Sequence, residues 1–193
     1  MINDRGVFGV GSTNGIVLMV DGKRRRSYIQ WKGMMTRCYS QSALKKSPSY
    51  GNCFVCDDWL NYGVFKQWHD DNYVESYHLD KDIIKQGNNL YSPEFCSYVP
   101  SLINKIVLSG GSSNGKYPKG VSIDNRTGKF VAHLNIDGKI RHIGSFDCQI
   151  KAGQHYLVKK KEKIRLIARK YYADALITKP VYYGLMKWDA ICQ

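Results

Sequence analysis

The sequence predicts an α+β fold made of two folded regions and a flexible connection. Large apolar residues recur at helical spacing early in the chain, at Trp31, Met34, Met35 and Cys38. Residues 120–146 instead alternate between apolar and polar side chains in three short segments, which turn sequences separate. Residues 109–115, SGGSSNG, have no side chains with which to build a core and are predicted to be a linker. The predicted divisions are 1–108, 109–115, 116–170 and 171–193.

The first region is predicted to contain helices and two short strands. One helix covers residues 27–39, and a second begins at Asp57 or Asp58. The second helix buries an aromatic face formed by Trp59, Tyr62, Phe65 and Trp68. Residues 77–108 then have the pattern strand, loop, strand, helix, with the final helix capped by Ser101.

The second region is predicted to be a three-stranded antiparallel sheet packed on one helix. Its strands are 120–123, 129–136 and 139–146, and Asp137-Gly138 is a strong hairpin signal between the last two. Asp147 is positioned to cap a helix that runs through Tyr156 towards Lys170. Residues 171–193 are rich in aromatic side chains, and we expect them to pack back onto this body.

Positive charge is concentrated in the second half of the chain. The formal net charge is +13. Residues 109–193 carry 16 Lys and Arg against 6 Asp and Glu, a net of +10, and residues 1–108 carry 13 against 10, a net of +3. This distribution favours a polyanionic partner, although a basic surface that only keeps the protein in solution has the same composition.

The sequence also indicates where the protein works. No apolar run approaches the ~18 residues that span a bilayer, and the N-terminus has no secretory signal pattern. No strongly amphipathic basic helix points to an anionic membrane surface. We therefore expect a cytoplasmic protein without a membrane partner. Its cysteines are then either reduced thiols or metal ligands.

Strand alternation divides residues 129–136 into two faces. Phe130, Ala132, Leu134 and Ile136 form a core-like face, and Lys129, Val131, His133 and Asn135 form a mostly polar one. A ribbon of two or three strands fits the major groove of DNA. An ordinary solvated sheet face would have the same pattern.

A longer set of motifs extends this prediction. Pro118-Lys-Gly-Val-Ser, Gly128-Lys-Phe-Val-Ala-His-Leu, Lys139-Ile-Arg-His-Ile-Gly-Ser-Phe and the later Tyr156 closely resemble the Apetala-two, or ethylene-response-factor, DNA-binding domain. The resemblance covers about 50 residues, and it implies a sheet that lies in the major groove of double-stranded DNA. The DNA-binding residues that it implies are Ser122, Arg126, Lys129, His133, Asn135, Lys139, Arg141 and His142. Plant members have Arg and Trp at several of these positions, so the preferred DNA sequence must differ.

A second resemblance covers the first region. Trp31-x-x-Met34-x-x-Arg37-Cys38, Val55-Cys56-x-x-Trp59, Leu79-Asp80-Lys81-Asp82, Tyr91-Ser92-Pro93-x-x-Cys96 and Asn104 resemble phage proteins of the HNH homing-endonuclease group, which have a ββα metal site. Together the two resemblances imply a phage endonuclease that joins both modules and hydrolyses DNA with Mg²⁺ or another divalent metal.

The HNH resemblance assigns roles to individual residues. Asp80 and Asn104 would be metal ligands, with Asp82 completing the oxygen-rich shell. Lys81 stands where the family has its general-base His, and His78 is the alternative base. Phe95 stands where the family has an Asn, so the catalytic set departs from the family pattern.

Two questions remain open at the level of sequence. Four cysteines offer either a structural zinc site or buried core thiols: Cys38, Cys53, Cys56 and Cys96. The chain is predicted to be either a site-specific endonuclease or a DNA-binding regulator or counter-defence factor without activity. A module for structured RNA is disfavoured, because the narrow major groove of RNA does not admit a sheet.

Overall fold

The computed structural model describes residues 6–108, 116–136 and 138–189. The chain divides into two compact units, Met1–Pro100 and Ser101–Gln193. The predicted linker, residues 109–115, lies outside the described residues. The prediction of an α+β protein with a three-stranded antiparallel sheet is confirmed.

The first unit begins with a short exposed hairpin followed by helices. The hairpin pairs strands β1 (Met19–Val20) and β2 (Lys23–Arg24) around the turn Asp21-Gly22. The helices are α1 (Arg26–Tyr39), α2 (Gln41–Lys46), α3 (Asp57–Leu60) and α4 (Tyr62–Asn72), and strand β3 (Phe54–Val55) precedes α3. The helix predicted to begin at Asp57 is interrupted because Asn61 leaves the helical conformation, and its side chain caps α4 by accepting the Gly63 N–H at 2.8 Å.

The core of the first unit is aromatic. Trp31, Trp59, Tyr62 and Phe65 are fully buried, as their helical spacing predicts. The indole N–H of Trp31 donates to the carbonyl oxygen of Trp59 at 2.6 Å, which ties α1 to α3. Trp59 and Phe65 meet edge to face, 5.0 Å apart between ring centroids.

The remaining strands of the first unit enclose a polar loop. Strand β4 (Tyr77–Asp80) pairs antiparallel with β6 (Ser97–Pro100), and β5 (Leu90–Tyr91) pairs parallel with β3. The first predicted strand, 77–84, therefore ends four residues early. It ends there because the Asp80 carboxylate accepts the backbone N–H groups of Asp82 and Ile83, both at 2.8 Å, and so turns the chain.

The second unit contains the predicted sheet. Strands β7 (Val121–Asp124), β8 (Lys129–Ile136) and β9 (Lys139–Phe146) form an antiparallel meander in the order β7-β8-β9. Gly120 precedes β7 with φ of +72°, and a Cβ there would lie 2.4 Å from the Tyr156 ring. The Gly120-Val121 step of the motif is therefore explained by close packing of the helix on the strand.

Three helices complete the second unit: α5 (Ser101–Leu108), α6 (Gln149–Ala173) and α7 (Lys179–Lys187). Helix α6 packs on the sheet through Tyr156, against Ala132 and Leu134. It starts after Cys148 rather than at a cap formed by Asp147. Helix α7 packs on α6.

Helix α5 follows strand β6 directly but belongs to the second unit. Its apolar residues Ile103, Ile106 and Val107 line a small gap together with Ile164 and Ile167 of α6. The sequence analysis placed this helix in the first region, together with the strands that precede it. Its apolar side is covered by α6 because the matching apolar residues lie there.

Candidate nucleic-acid interface

The sheet of the second unit has one face that helix α6 does not cover. The register pairs Ser122 with Val131 and Val131 with Ser145, and it pairs His133 with His142. Directly paired residues of an antiparallel sheet lie on the same face. These side chains therefore share the face opposite α6, which we call the outer face.

Two imidazole–hydroxyl pairs lie on the outer face. Nε2 of His133 shares a hydrogen bond with the hydroxyl of Ser122 at 3.0 Å, and Nε2 of His142 shares one with the hydroxyl of Ser145 at 2.9 Å. The two imidazole rings lie 6.4 Å apart between centroids and are nearly perpendicular. The outer face thus holds a row of small polar groups, in two hydrogen-bonded pairs, that runs across all three strands.

A β-bulge decides which residues of β9 reach the outer face. The register shifts between Ala132 and His133, so that Ile143 is an extra residue in β9. Ile143 and Phe146 pack with the core on the helix side. Arg141 pairs with Leu134, and Lys139 pairs with Ile136, so alternation places both cations on the helix side rather than beside His142.

Other predicted DNA-binding residues have structural partners. The Asn135 side-chain oxygen accepts the Gly138 N–H at 3.0 Å and so stabilises the β8–β9 turn. Arg126 lies in the β7–β8 turn, where its backbone N–H donates to Asp124 at 3.0 Å. Lys129 is exposed on the outer face and lies 3.7 Å from the carboxylate of Asp147. The side chains of Asn135 and Asp124 therefore stabilise the turns at the two ends of the sheet.

Ser145 and Ile140 lie on the outer face but were not among the predicted site residues. Ser145 bonds His142, and Ile140 pairs with Asn135 and is 75% exposed. Simple alternation from His142 would have found Ile140. Ser145 lies beyond the bulge, where the alternation changes phase, and no sequence signal marks a bulge there.

Three predicted nuclease residues, Asp80, Lys81 and Asp82, lie where β4 ends and the loop that follows it begins. Asp80 is buried, and one of its carboxylate oxygens is occupied by the two backbone N–H groups that end the strand. Burial raises the pKa of Asp80 even though the N–H groups of Ile83 and Asp82 favour the charged form. Asp80 therefore acts as a structural residue in this geometry.

Lys81 is also buried, and its ammonium group is held by the loop. Nζ donates to the Asp82 carboxylate at 2.7 Å and to the Asn88 carbonyl oxygen at 2.5 Å. Burial disfavours the charged form, but the hydrogen bond to Asp82 outweighs it, so the pKa of Lys81 lies above its usual value. A lysine with a raised pKa is a poor general base at neutral pH.

Asn88 completes this loop. Its side-chain N–H₂ donates to the carbonyl oxygens of Lys81 at 3.0 Å and Leu90 at 2.6 Å, and its side-chain oxygen accepts the Leu90 N–H at 3.1 Å. The side chains of Asp80, Lys81 and Asn88 thus hold the two ends of the loop together.

The other predicted catalytic residues lie elsewhere. His78 is exposed on β4, opposite Val99, and Asn104 lies on α5 in the second unit. The carboxylates at the β4 loop do not fit the role of ligands for a divalent ion. Asp82 is paired with Lys81, and Asp80 accepts two backbone N–H groups. Within residues 6–108, 116–136 and 138–189, no three His, Cys, Asp or Glu side chains are grouped so that they could hold a metal ion.

The four cysteines of the zinc hypothesis pack in or against the apolar core of the first unit. Cys38, Cys53 and Cys96 are buried there, and Cys56 is half-buried beside them. Burial raises the pKa of Cys38 to about 12 and also raises that of Cys96. Burial thus favours the neutral thiol at Cys38 and Cys96, and all four cysteines pack as apolar side chains in this geometry.

Helix α6 contains a buried lysine that sequence analysis did not single out. Lys160 is 3% exposed, and its Nζ lies 5.0 Å from the centroid of the Trp188 ring. No Asp or Glu of the described segments forms an ion pair with it. Burial, and then the charge of Lys119, lower its pKa to about 8. The only sequence signal is its spacing from Tyr156 and Ile164 along one face of the helix.

Comparisons of the chain with protein-family models, with curated proteins and with solved structures gave no match. In the part of the chain that the structure describes, no helix has the length and apolarity needed to cross a bilayer. The two family resemblances therefore remain predictions from sequence motifs.

Proposed function

We propose that the chain is a sequence-specific protein that binds double-stranded DNA through the outer face of its three-stranded sheet. The observation that carries the proposal is the row of polar groups on that face, formed by Ser122 with His133 and by His142 with Ser145. Such a row, open on one side and supported by a helix on the other, is suited to contact with base edges.

The dimensions of the sheet support this proposal. Neighbouring strands lie about 4.8 Å apart, so three strands are about 10 Å wide between the outer strand axes. The major groove of DNA is about 12 Å wide. Imidazole and hydroxyl groups both donate and accept hydrogen bonds, and the major-groove edge of each base pair offers a distinct pattern of such groups.

Charge supports the same partner. The net charge of +10 over residues 109–193 favours a polyanion, and Lys129 is an exposed cation on the outer face itself. Each phosphate that a lysine or arginine neutralises releases counterions. The basic residues would hold the sheet on the duplex, and the polar row would discriminate among sequences.

The test begins with selection of a preferred duplex from a random library by the full chain. Binding to that duplex and to random duplex is then measured by fluorescence anisotropy at several salt concentrations. His133→Ala is expected to weaken binding to the preferred duplex by about 1–3 kcal/mol and binding to random duplex much less. Gln154→Ala, an exposed residue of α6, is the control and should change neither affinity. Salt-independent binding, or an equal loss on both duplexes, would contradict the proposal.

DNA hydrolysis at the loop that follows β4 is a second candidate function. It is supported by the antiparallel strands β4 and β6 followed by helix α5 within residues 77–108, and by the position of Asp80 at the end of β4. The hydrogen bonds of Asp80 and Lys81 within the loop count against it. A plasmid that carries the selected site, incubated with magnesium or manganese, tests it. Nicked or linear product would establish cleavage. If the plasmid stays supercoiled, the second candidate function is wrong and the chain binds DNA without cutting it.

A further inference from the structure

Ile140 is a highly exposed apolar side chain on a face that is otherwise polar except for the buried Val131. It is 75% exposed, more than the other exposed large apolar residues that the structure describes in the second unit, among which Leu166 is 67% and Ile150 is 62% exposed. The apolar core of the second unit lies on the opposite side of the sheet, where Ala132, Leu134 and Tyr156 are buried. Ile140 therefore adds little to the stability of the fold.

The register places Ile140 beside the polar row. It pairs with Asn135, and its neighbour two residues along the strand is His142, which pairs with His133. Because side chains alternate along a strand, Ile140 and His142 lie on the same face. The bulge lies on the far side of His142, so it does not alter this placement. Ile140 thus stands on the outer face between the polar row and the β8–β9 turn.

We propose that Ile140 is a specificity-determining residue that contacts the C5-methyl group of a pyrimidine in the major groove. This inference rests on the proposed DNA-binding function. The C5-methyl group of thymine is the main apolar group on the major-groove edges of the bases, and aliphatic side chains contact it. A 5-methylcytosine presents the same group. Water would be removed from both apolar surfaces on binding, which is favourable in proportion to the area buried.

The experiment removes one methyl group at a time. In the selected duplex, each thymine is replaced in turn by uracil, which lacks the methyl group and keeps the same hydrogen-bonding groups. For the wild-type chain we expect one position at which the affinity falls about fourfold, the change that corresponds to burial of one methylene-sized group. Cytosines are likewise replaced by 5-methylcytosine, and a gain at one cytosine would identify the methylated base as the source.

The decisive measurement is a double-mutant cycle with Ile140→Ala. The variant should bind the selected duplex more weakly and should be indifferent to the methyl group at the sensitive position. Ile140→Val should retain part of the sensitivity. The control is Ile150→Ala, because Ile150 is also an exposed isoleucine but lies on α6. This variant should behave as wild type. Thermal unfolding of each variant checks that the fold is intact.

The outcomes separate this inference from the function on which it rests. If the wild-type chain binds duplex DNA and Ile140→Ala keeps the full sensitivity to the methyl group, the role of Ile140 is wrong and DNA binding stands. If no pyrimidine methyl group affects wild-type binding, the role is also wrong. If the chain does not bind duplex DNA in a salt-dependent way, the proposed function itself fails.

Discussion

The two units of the chain use their polar side chains in opposite ways. In the loop after β4, Asp80, Lys81 and Asn88 turn inward and bond to the loop itself. On the sheet of the second unit, His133 and His142 turn outward and bond to hydroxyl groups beside them on the same exposed face. A motif of reactive residue types therefore indicates chemistry only where the side chains are not already used to hold the fold.

Each unit also buries one lysine, and the surroundings differ. Lys81 has a carboxylate and a carbonyl oxygen as partners, and its pKa is raised. Lys160 has an aromatic ring and a neighbouring cation, and its pKa is lowered to about 8. Burial disfavours a charge in both places, and the partner decides the outcome.

The largest expected effect tests whether the β4 loop is structural. Asp80→Ala leaves the N–H groups of Asp82 and Ile83 without their acceptor, at a cost of about 3–4 kcal/mol in the free energy of unfolding of the first unit. Asp80→Asn keeps an oxygen acceptor and should lose less than about 1 kcal/mol. Peptide-resolved hydrogen exchange in urea follows the two units separately. Equal stability of the two variants would show that Asp80 does not hold the loop.

The next substitution, at Lys160, is expected to raise the stability of its unit rather than lower it. A lysine whose pKa falls from 10.5 to about 8 on folding destabilises the folded state by about 3 kcal/mol at pH 7. Below pH 8 both states are protonated and the cost is complete. Between pH 8 and 10.5 only the unfolded state keeps the proton, so stability rises with pH. Lys160→Met should therefore stabilise the second unit by about 3 kcal/mol at pH 7, with a gain that shrinks above pH 8.

The measurement for Lys160 is urea unfolding at several pH values, again followed by hydrogen exchange of the second unit. Lys151→Met, an exposed lysine on the same helix, is the matched control and should show neither the gain nor its pH dependence. A Lys160→Met protein that is less stable than wild type at pH 7 would mean that the buried ammonium group has a stabilising partner.

The same substitution in the first unit should destabilise it. Lys81→Met removes the ammonium group that donates to Asp82 and leaves the Asn88 carbonyl oxygen without that donor. Charge-assisted hydrogen bonds of this kind contribute about 2 kcal/mol. We expect a loss of about this size in the unfolding free energy of the first unit. A neutral or stabilising effect would remove the contrast between the two buried lysines.

Local pattern predicted the elements of the fold well. Two strands of the second sheet begin and end as predicted, and the third is shifted by one residue, because Gly and Asp mark their turns. The helix 27–39 differs from α1 by one residue, because its buried face recurs at a clear 3.6-residue period. These features depend on residues that are close in sequence.

The candidate sites could be predicted only in part, because many of their side chains have partners that are distant in sequence. Lys81 meets Asn88 across a loop, and no spacing rule identifies that pair. The hairpin register pairs Arg141 with Leu134 and so places it on the helix side. The bulge at Ile143 brings Ser145 to the outer face, although a strand without a bulge would also have been consistent with the sequence. Helix α5 was grouped with the strands that precede it, and its apolar partners lie some 60 residues later, in α6.

The smallest expected effect compares two cations of the sheet. Lys129 is on the outer face, and Arg141 pairs with Leu134 on the helix side. If the outer face contacts DNA, Lys129→Ala removes about one phosphate contact, so the slope of log affinity against log salt becomes less steep by about 0.9. Arg141→Ala should leave the slope unchanged, because its side chain lies on the face away from the duplex. Anisotropy titrations of random duplex between low and moderate salt measure both slopes. A loss of slope with Arg141→Ala alone would place DNA on the helix side of the sheet, and an equal loss with both variants would place it along the β9 edge, where cations of either face can reach phosphates.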